Sequence, residues 1–452
     1  MTGSLDLPAA RRRYVTLCAL FWLAPGLSLA PLILLLTERG MAMATIAGLF
    51  AAHSLTAAAL ELPTGGLADV LGRRAVLVAA GLLNLTALAL VGLGSDPWLL
   101  GVGMVLMGAG RALASGPAEA WYVDTVHAHS GPDADLRPGL AGGASASSAA
   151  LAAGTLLGGV LPWLLGAGPD LGARLREASS GLVLPLSVPL LLGAVVEIGF
   201  VLYVWTALPE PPRPPATLPD VLRGIPSTVV GGLRLAGRDT LVRRVFLGAG
   251  AAGSALVTIE LLVPGRAAAV TGASESGAVL FSVLACCGFI CSGLGSQLAP
   301  LTARLAGSGE RAVMVSLGAG ASGLLLLGAT AAFTGAGALV LSATGYGLLY
   351  LGLGAAGPNQ NDILHRRVTS AGRATALSVQ SLAPQLLGAL TGLVVGVLRP
   401  GPVPWLLGGI ALLAGSLLWA RRSSPTPPAR QATPRPPAAS SSRPGRTAPS
   451  EI

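Results

Sequence analysis

Where this chain puts its charges constrains its fold more than any other feature. Apolar runs of about 20 residues recur along it, and the charged residues gather almost wholly between them. A hydrocarbon core of ~30 Å is crossed by about 20 apolar helical residues. By that measure the sequence holds twelve candidate spans, at 14–37, 42–63, 75–94, 98–122, 140–165, 182–206, 242–264, 276–299, 311–333, 336–357, 374–398 and 403–420. Only 11% of residues are charged, against about 25% in a soluble domain. This excludes a large soluble core and predicts an all-α membrane protein with twelve transmembrane helices. The 63 glycines do not argue against helices, because small residues let helix backbones approach closely in lipid.

The charge balance sets the orientation. The chain carries +9 and its basic residues are all arginine. A basic chain can bind nucleic acid, but arginine placed in alternate loops is what the positive-inside rule demands. With the N-terminus in the cytoplasm, 19 arginines fall on the inner side and 5 on the outer. Both termini are therefore expected in the cytoplasm, and no nucleic acid is expected as partner. Arg11-Arg12-Arg13 followed by an apolar run resembles a signal peptide, but the run is long enough to span and reads as an uncleaved first helix. The longest inner connection opens "PEPPRPPATLP" and divides the spans six and six. The expected organisation is a six-helix bundle over 1–208, a cytoplasmic linker over 209–241, a second six-helix bundle over 242–422 and a disordered tail over 423–452. The linker reads either as an amphipathic surface helix or as a basic solvated tether.

One stretch interrupts the apolar pattern with unusual chemistry: "ELPTGGLADVLGRR", Glu61 to Arg74. Its glycines allow a tight turn between two helix ends. Arg73 and Arg74 serve as inner anchors, whereas Asp69 is not needed for topology. A carboxylate there can pair with arginine or sit at a helix N-terminus.

The segment "GGLADVLGRR" resembles the signature of the second inner loop of the major facilitator superfamily, in which Gly65, Leu67, Ala68, Asp69, Gly72, Arg73 and Arg74 match and Val70 replaces a basic residue. "ELPTG", "SGPAEAWYVD" and "GRATALSVQSL" resemble a branch of the same superfamily. In the corresponding second-half turn, "SQLAPLTARLAG", Pro300 takes the place of the Asp. In "GTLLGG", Thr155 replaces the proline of an exporter-associated pattern. The resemblance covers nearly the whole chain apart from the tail. It implies two bundles that rock about a central site. It also implies a cytoplasmic gate in which Asp69 works with Arg73 and the start of the eleventh span near Arg373, with Asp124 a further candidate. The alternative for these residues is a topological anchor without gating.

Charges inside spans are costly and are functional candidates. Arg111 lies near the middle of the fourth span, which the resemblance places on a central cavity. Arginine stays protonated, so it can bind an anionic or polar group or act on a nearby acid, or else form a buried structural pair. Glu61 and Glu119, toward the inner ends of the second and fourth spans, are candidates for proton exchange or for an inner ion network. Glu260, near the outer end of the seventh, either lines the cavity or lies at an interface. Glu197 lies in the sixth span, which the resemblance places at the periphery, so a structural or snorkelled role is expected. His53 reads as a buried, hydrogen-bonded histidine more readily than as a titrating one. "PNQNDILHRR" can close an inner mouth or simply end a helix.

Cys18, Cys286, Cys287 and Cys291 all fall in apolar runs, so neither a disulfide nor a metal site is expected. The histidines lie outside any catalytic spacing, and no nucleotide-binding loop is present. The expected protein is not an enzyme and needs no cofactor. It is a plasma-membrane secondary transporter, a monomer in the lipid bilayer, that exports a small organic molecule in exchange for protons. The alternative is an uptake symporter or facilitator of the same fold.

Overall fold

The computed structural model describes residues 6–420, apart from 115, 132–133, 167–170, most of 211–235, 334 and 368–369; the side chains at 62, 65, 370–375 and 377–378 are also outside the description. The expectations for the linker, the tail, Gly65 and the Arg373 side chain fall on positions outside the described structure.

Fifteen α-helices are described. The chain before the linker forms α1 (Leu7–Leu29), α2 (Leu32–Glu38), α3 (Met43–Leu71), α4 (Arg73–Leu93), α5 (Pro97–Ala114), α6 (Pro117–Ser130), α7 (Arg137–Gly166), α8 (Leu171–Ala178) and α9 (Val188–Ala207). The chain after it forms α10 (Thr240–Thr271), α11 (Ser274–Ala306), α12 (Gly309–Ala329), α13 (Ala336–Arg367), α14 (Ser370–Val397) and α15 (Pro402–Leu417). Among the described residues, eleven helical spans are long and apolar enough to cross a membrane, and α15 is a shorter apolar helix. Helices lie over the expected apolar runs, but many of them run past the hydrophobic boundaries. α10, for example, begins at Thr240 and ends at Thr271 instead of 264. The fourth expected span is not one helix. It is divided between α5 and α6 at Gly116, whose φ of +93° ends one helix and lets the next start at Pro117.

Local chemistry explains the starts and turns. Asp6, Asp239 and Ser308 each accept from a backbone N–H in the first turn of α1, α10 and α12. Gly72 joins α3 to α4 with φ +98°, a conformation that glycine adopts at little cost.

The helices before the linker pack mainly on one another, as α1 on α7 and α9, and α4 on α5 and α9. Those after it do the same, as α12 on α13 and α15, and α10 on α14. Two long seams join the groups, α3 with α14 and α7 with α11. Glycine makes the closest approaches possible. A Cβ on Gly154 or Gly158 of α7 would strike the α1 backbone at Leu23 or Leu27, and one on Gly159 would strike Ala278 and Ser282 of α11. The "GTLLGG" stretch is thus the surface through which α7 touches both groups.

The bundle has two unlike ends. One, here the basic end, carries Arg11, Arg12, Arg13, Arg73 and Arg74 and the start of the linker. At the other, the far end, Leu34, Leu35 and Leu36 of α2 are buried in one cluster with Leu261, Ala278 and Val395 of the second group. This cluster seals the seam between the groups.

Candidate functional site

A cavity of about 330 Å³ lies between the two groups. The first group supplies His53 of α3, Asn84 of α4, Arg111 of α5 and Glu197 of α9 to its wall; the second supplies Glu260 of α10 and Tyr346 and Tyr350 of α13. Aromatic faces complete it. Phe21 and Trp22 stand on the α1 side and Phe281 and Phe289 on the α11 side. Tyr346 and Tyr350 lie one turn apart, with ring centroids 5.0 Å from each other, and Phe289 meets Tyr350 edge-on at 6.4 Å. The wall is therefore apolar and aromatic with a few polar groups, the usual chemistry of a small-molecule site.

Arg111 sits in the last turn of α5, just before the break at Gly116. Its side chain is exposed to the cavity and has no hydrogen-bond or ion-pair partner among the described residues. Its charge acts on Glu260 from the second group and on His53 from the first. A guanidinium and a carboxylate thus face one another from opposite sides of the seam without being joined. Glu260 lines the cavity, which resolves the two alternatives for it. Glu61 and Glu119 are not part of the cavity wall.

Glu197 lies on the same wall. It is fully buried, lines the cavity and accepts from Asn84 Nδ2 at 3.3 Å. Full burial against α4 is at odds with snorkelling and leaves the expected structural role open beside a place on the cavity wall. Sequence signals for it were a carboxylate in an all-round apolar helix and an asparagine in the span that proves to be its neighbour.

At the basic end, Arg73 pairs with Asp69 at 2.6 Å and with Asp124 at 3.3 Å. The α3–α4 turn is thereby tied to α6. Glu210, which the sequence did not single out, accepts from the backbone N–H groups of Arg73 and Arg74 at 2.8 and 3.1 Å. A carboxylate there complements the positive end of α4. The Arg74 guanidinium stacks 4.4 Å over Trp205. Asn359 of "PNQNDILHRR" donates to Ala299 O at 3.2 Å and so ties α13 to α11, while Asp362 pairs with Arg366. The Arg73, Arg137, Arg244 and Arg366 pairs at this end each join residues of the same group. At the far end, by contrast, the leucine cluster of α2 joins the two groups.

All four cysteines are free, and Cys287 is exposed. Among the described residues, no group of three or more His, Cys, Asp or Glu side chains is placed to hold a metal ion.

No protein-family model matches the chain. No curated protein matches its sequence either. Its structure, however, matches those of solved transporters. The nucleoside transporter NupG superposes with a TM-score of 0.69 at 13% identity, over 91% of this chain and 98% of that one. A D-xylose–proton symporter gives 0.68 at 14% identity, over 90% and 97%. A bacterial homologue of the human lysosomal transporter Spinster, solved inward-facing and unoccupied, gives 0.65 at 16% identity, over 92% and 95%. The chain is an all-α, multi-pass membrane protein, which fits a plasma-membrane location, and it has the major facilitator fold of these transporters.

Proposed function

We propose that this protein is a secondary transporter that carries a small organic molecule across the plasma membrane by alternating access. The observation that carries the reading is the cavity wall itself, where Arg111 and His53 of one group face Glu260, Tyr346 and Tyr350 of the other. A molecule touching both sets is sensitive to their relative position, which is what rocking bundles require. In this reading the basic end is cytoplasmic, as its arginines favour, and the chain crosses twelve times as two six-helix bundles with both termini inside. The protein acts as a monomer. The sealed far end then describes an inward-facing state, and the Asp69–Arg73–Asp124 network is half of a gate whose other half lies near Arg373.

The direction favoured here is uptake, not the export expected from sequence. Among the structurally similar proteins are a D-xylose–proton symporter and proton-dependent oligopeptide transporters. The exporter-associated proline is also replaced by Thr155. Protons are the proposed coupling ion, with Glu260 the carboxylate placed to exchange one, and Glu61 and Glu119 as candidates outside the cavity.

The test is counterflow in proteoliposomes with labelled nucleosides, pentoses, small peptides and amines. At least one class should exchange, a pH gradient should drive its accumulation, and Arg111→Ala should abolish both while expression stays normal. Absence of exchange across all classes, or exchange unchanged in Arg111→Ala, overturns the reading. Reporter fusions after Arg137 and Arg422 should report inside and those after Thr271 and Arg399 outside; reversal at two sites overturns the topology.

A further inference from the structure

Glu197 is a carboxylate of the cavity wall that is met by a single neutral donor. It is fully buried in the middle of α9. Asn84 donates to its Oε1, and its Oε2 has no hydrogen-bond partner among the described residues. Among the described residues Glu197 makes no ion pair. α9 packs on α1, where Phe21 meets Phe200 and Ala24 lies against Gly193, and on α4, where Asn84 stands between apolar residues. Arg111 belongs to the same cavity, but its charge acts on Glu260 and His53. Arg111 and Glu260 carry opposite charges on the two sides of the same cavity. What remains is one negative charge, held on the α4–α9 side.

The surroundings fit a cation. Asn84 is held in place because Gly110 of α5 leaves room for it, since a Cβ there would strike Asn84 Oδ1. With Nδ2 committed to Glu197, the free oxygens on this wall are acceptors. A buried carboxylate with a single donor is costly, and an ammonium group brings both a counter-charge and three donors. Phe21 and Trp22 line the same cavity, and aromatic faces attract cations.

We propose that the Glu197–Asn84 pair is the acceptor for a protonated amine on the transported molecule, so that the substrate is an organic cation or a zwitterion. The proposal rests on the transport reading above, and names the substrate class for that cavity.

Isothermal calorimetry on the purified full chain in detergent tests it with a matched pair of probes, phenethylamine and the neutral phenethyl alcohol. The amine should bind at least about tenfold more tightly, the scale of a charge-assisted hydrogen bond. Glu197→Gln should abolish that preference. Asn84→Leu should weaken the amine alone, and it keeps the test open should Glu197→Gln fail to fold. Equal binding of amine and alcohol by the native chain overturns the proposal. So does an amine preference that survives Glu197→Gln, which would move the acceptor to Glu260. A protonated-carboxyl infrared band that belongs to Glu197 and persists at saturating amine would also overturn it, because a proton alone then answers the charge. If amine selectivity holds and no compound crosses the liposome membrane, the transport reading fails and the binding site stands.

Discussion

The two helical groups solve one problem alike and another differently. At the far end, Arg39 follows α2 and donates to Val91 O at 2.6 Å and Gly92 O at 2.5 Å, the last carbonyls of α4. In the second group, Arg266 of α10 donates to Leu327 O at 3.0 Å and Thr330 O at 2.5 Å, the last carbonyls of α12. Each group thus uses an arginine from its first span to satisfy the carbonyl end of its third. At the basic end the likeness stops. The first group has Asp69, Arg73 and Asp124 in contact, with Glu210 at the start of α4. The second has Pro300 at the corresponding place and an Arg244–Glu310 pair at 3.6 Å. The shared device is structural and closes helix ends. The unshared one lies at the end that the transport reading proposes as the gate, so it is the better candidate for a moving part.

The largest expected effect tests whether both groups rest on glycine contacts. Gly158→Leu would force α7 from α1, and Gly352→Leu would force α13 from the backbone of α12 at Ser316 and Gly320. Overpacking costs roughly 1–3 kcal/mol where neighbours can shift, and more against backbone. Both variants should lose the monodisperse peak in fluorescence-detected size-exclusion chromatography. Survival of one alone would show that the groups differ in packing as well as in charge.

Next come the arginine clamps. Arg39→Ala and Arg266→Ala should each lower stability by about 1.5–3 kcal/mol, since each removes hydrogen bonds from a charged donor. The double variant should show additive losses, because the two clamps share no partner. Thermal unfolding in detergent measures this, and a large effect at only one site would break the equivalence.

Asp69→Asn should change stability little, because Asp69 is about half exposed (49%). It should instead alter the accessibility of a cysteine introduced in the far-end seam. If accessibility and transport are both unchanged, the network is an anchor like the far-end clamps. Glu210→Gln should have the smallest effect, roughly 0.3–1 kcal/mol from the lost helix-end charge, read as a small shift in melting temperature.

The helical class, the spans and the basic turn were legible in the sequence, because lipid imposes length and apolarity on every crossing. Arg111 drew attention in the sequence as a lone charge in the middle of an apolar run, but the helix break five residues after it, at Gly116, did not. The directions of side chains were not legible. Arg39 and Arg266 read as outer-loop anchors, yet both reach sideways to cap a neighbouring helix. Glu197 lies in a helix apolar on every face, so periodicity could not say which side was inward. Its orientation follows from Asn84 and Gly110, residues remote in sequence and matched only when α4, α5 and α9 pack. Glu61 and Glu119 had the right residue type but sit on turns that miss the cavity. Direction of transport was unreadable for a different reason, as the fold serves carriers of both kinds.

The interruption at Gly116 has a mechanical meaning. α5 ends at Ala114 with Arg111 in its last turn, and α6 begins at Pro117 and carries Asp124. The carbonyl of Ala112, freed by the break, is taken up by Thr64 Oγ1 at 2.9 Å from α3, so the joint is braced and not merely loose. An unbroken rod would carry any tilt of its cavity end straight to the gate. In the transport reading proposed above, two short arms around a braced pivot would let movement at Arg111 be absorbed or passed on according to the state of the brace. Thr64→Val should therefore decouple them: binding at the cavity, measured by calorimetry, should persist, while far-end cysteine accessibility should cease to respond to it.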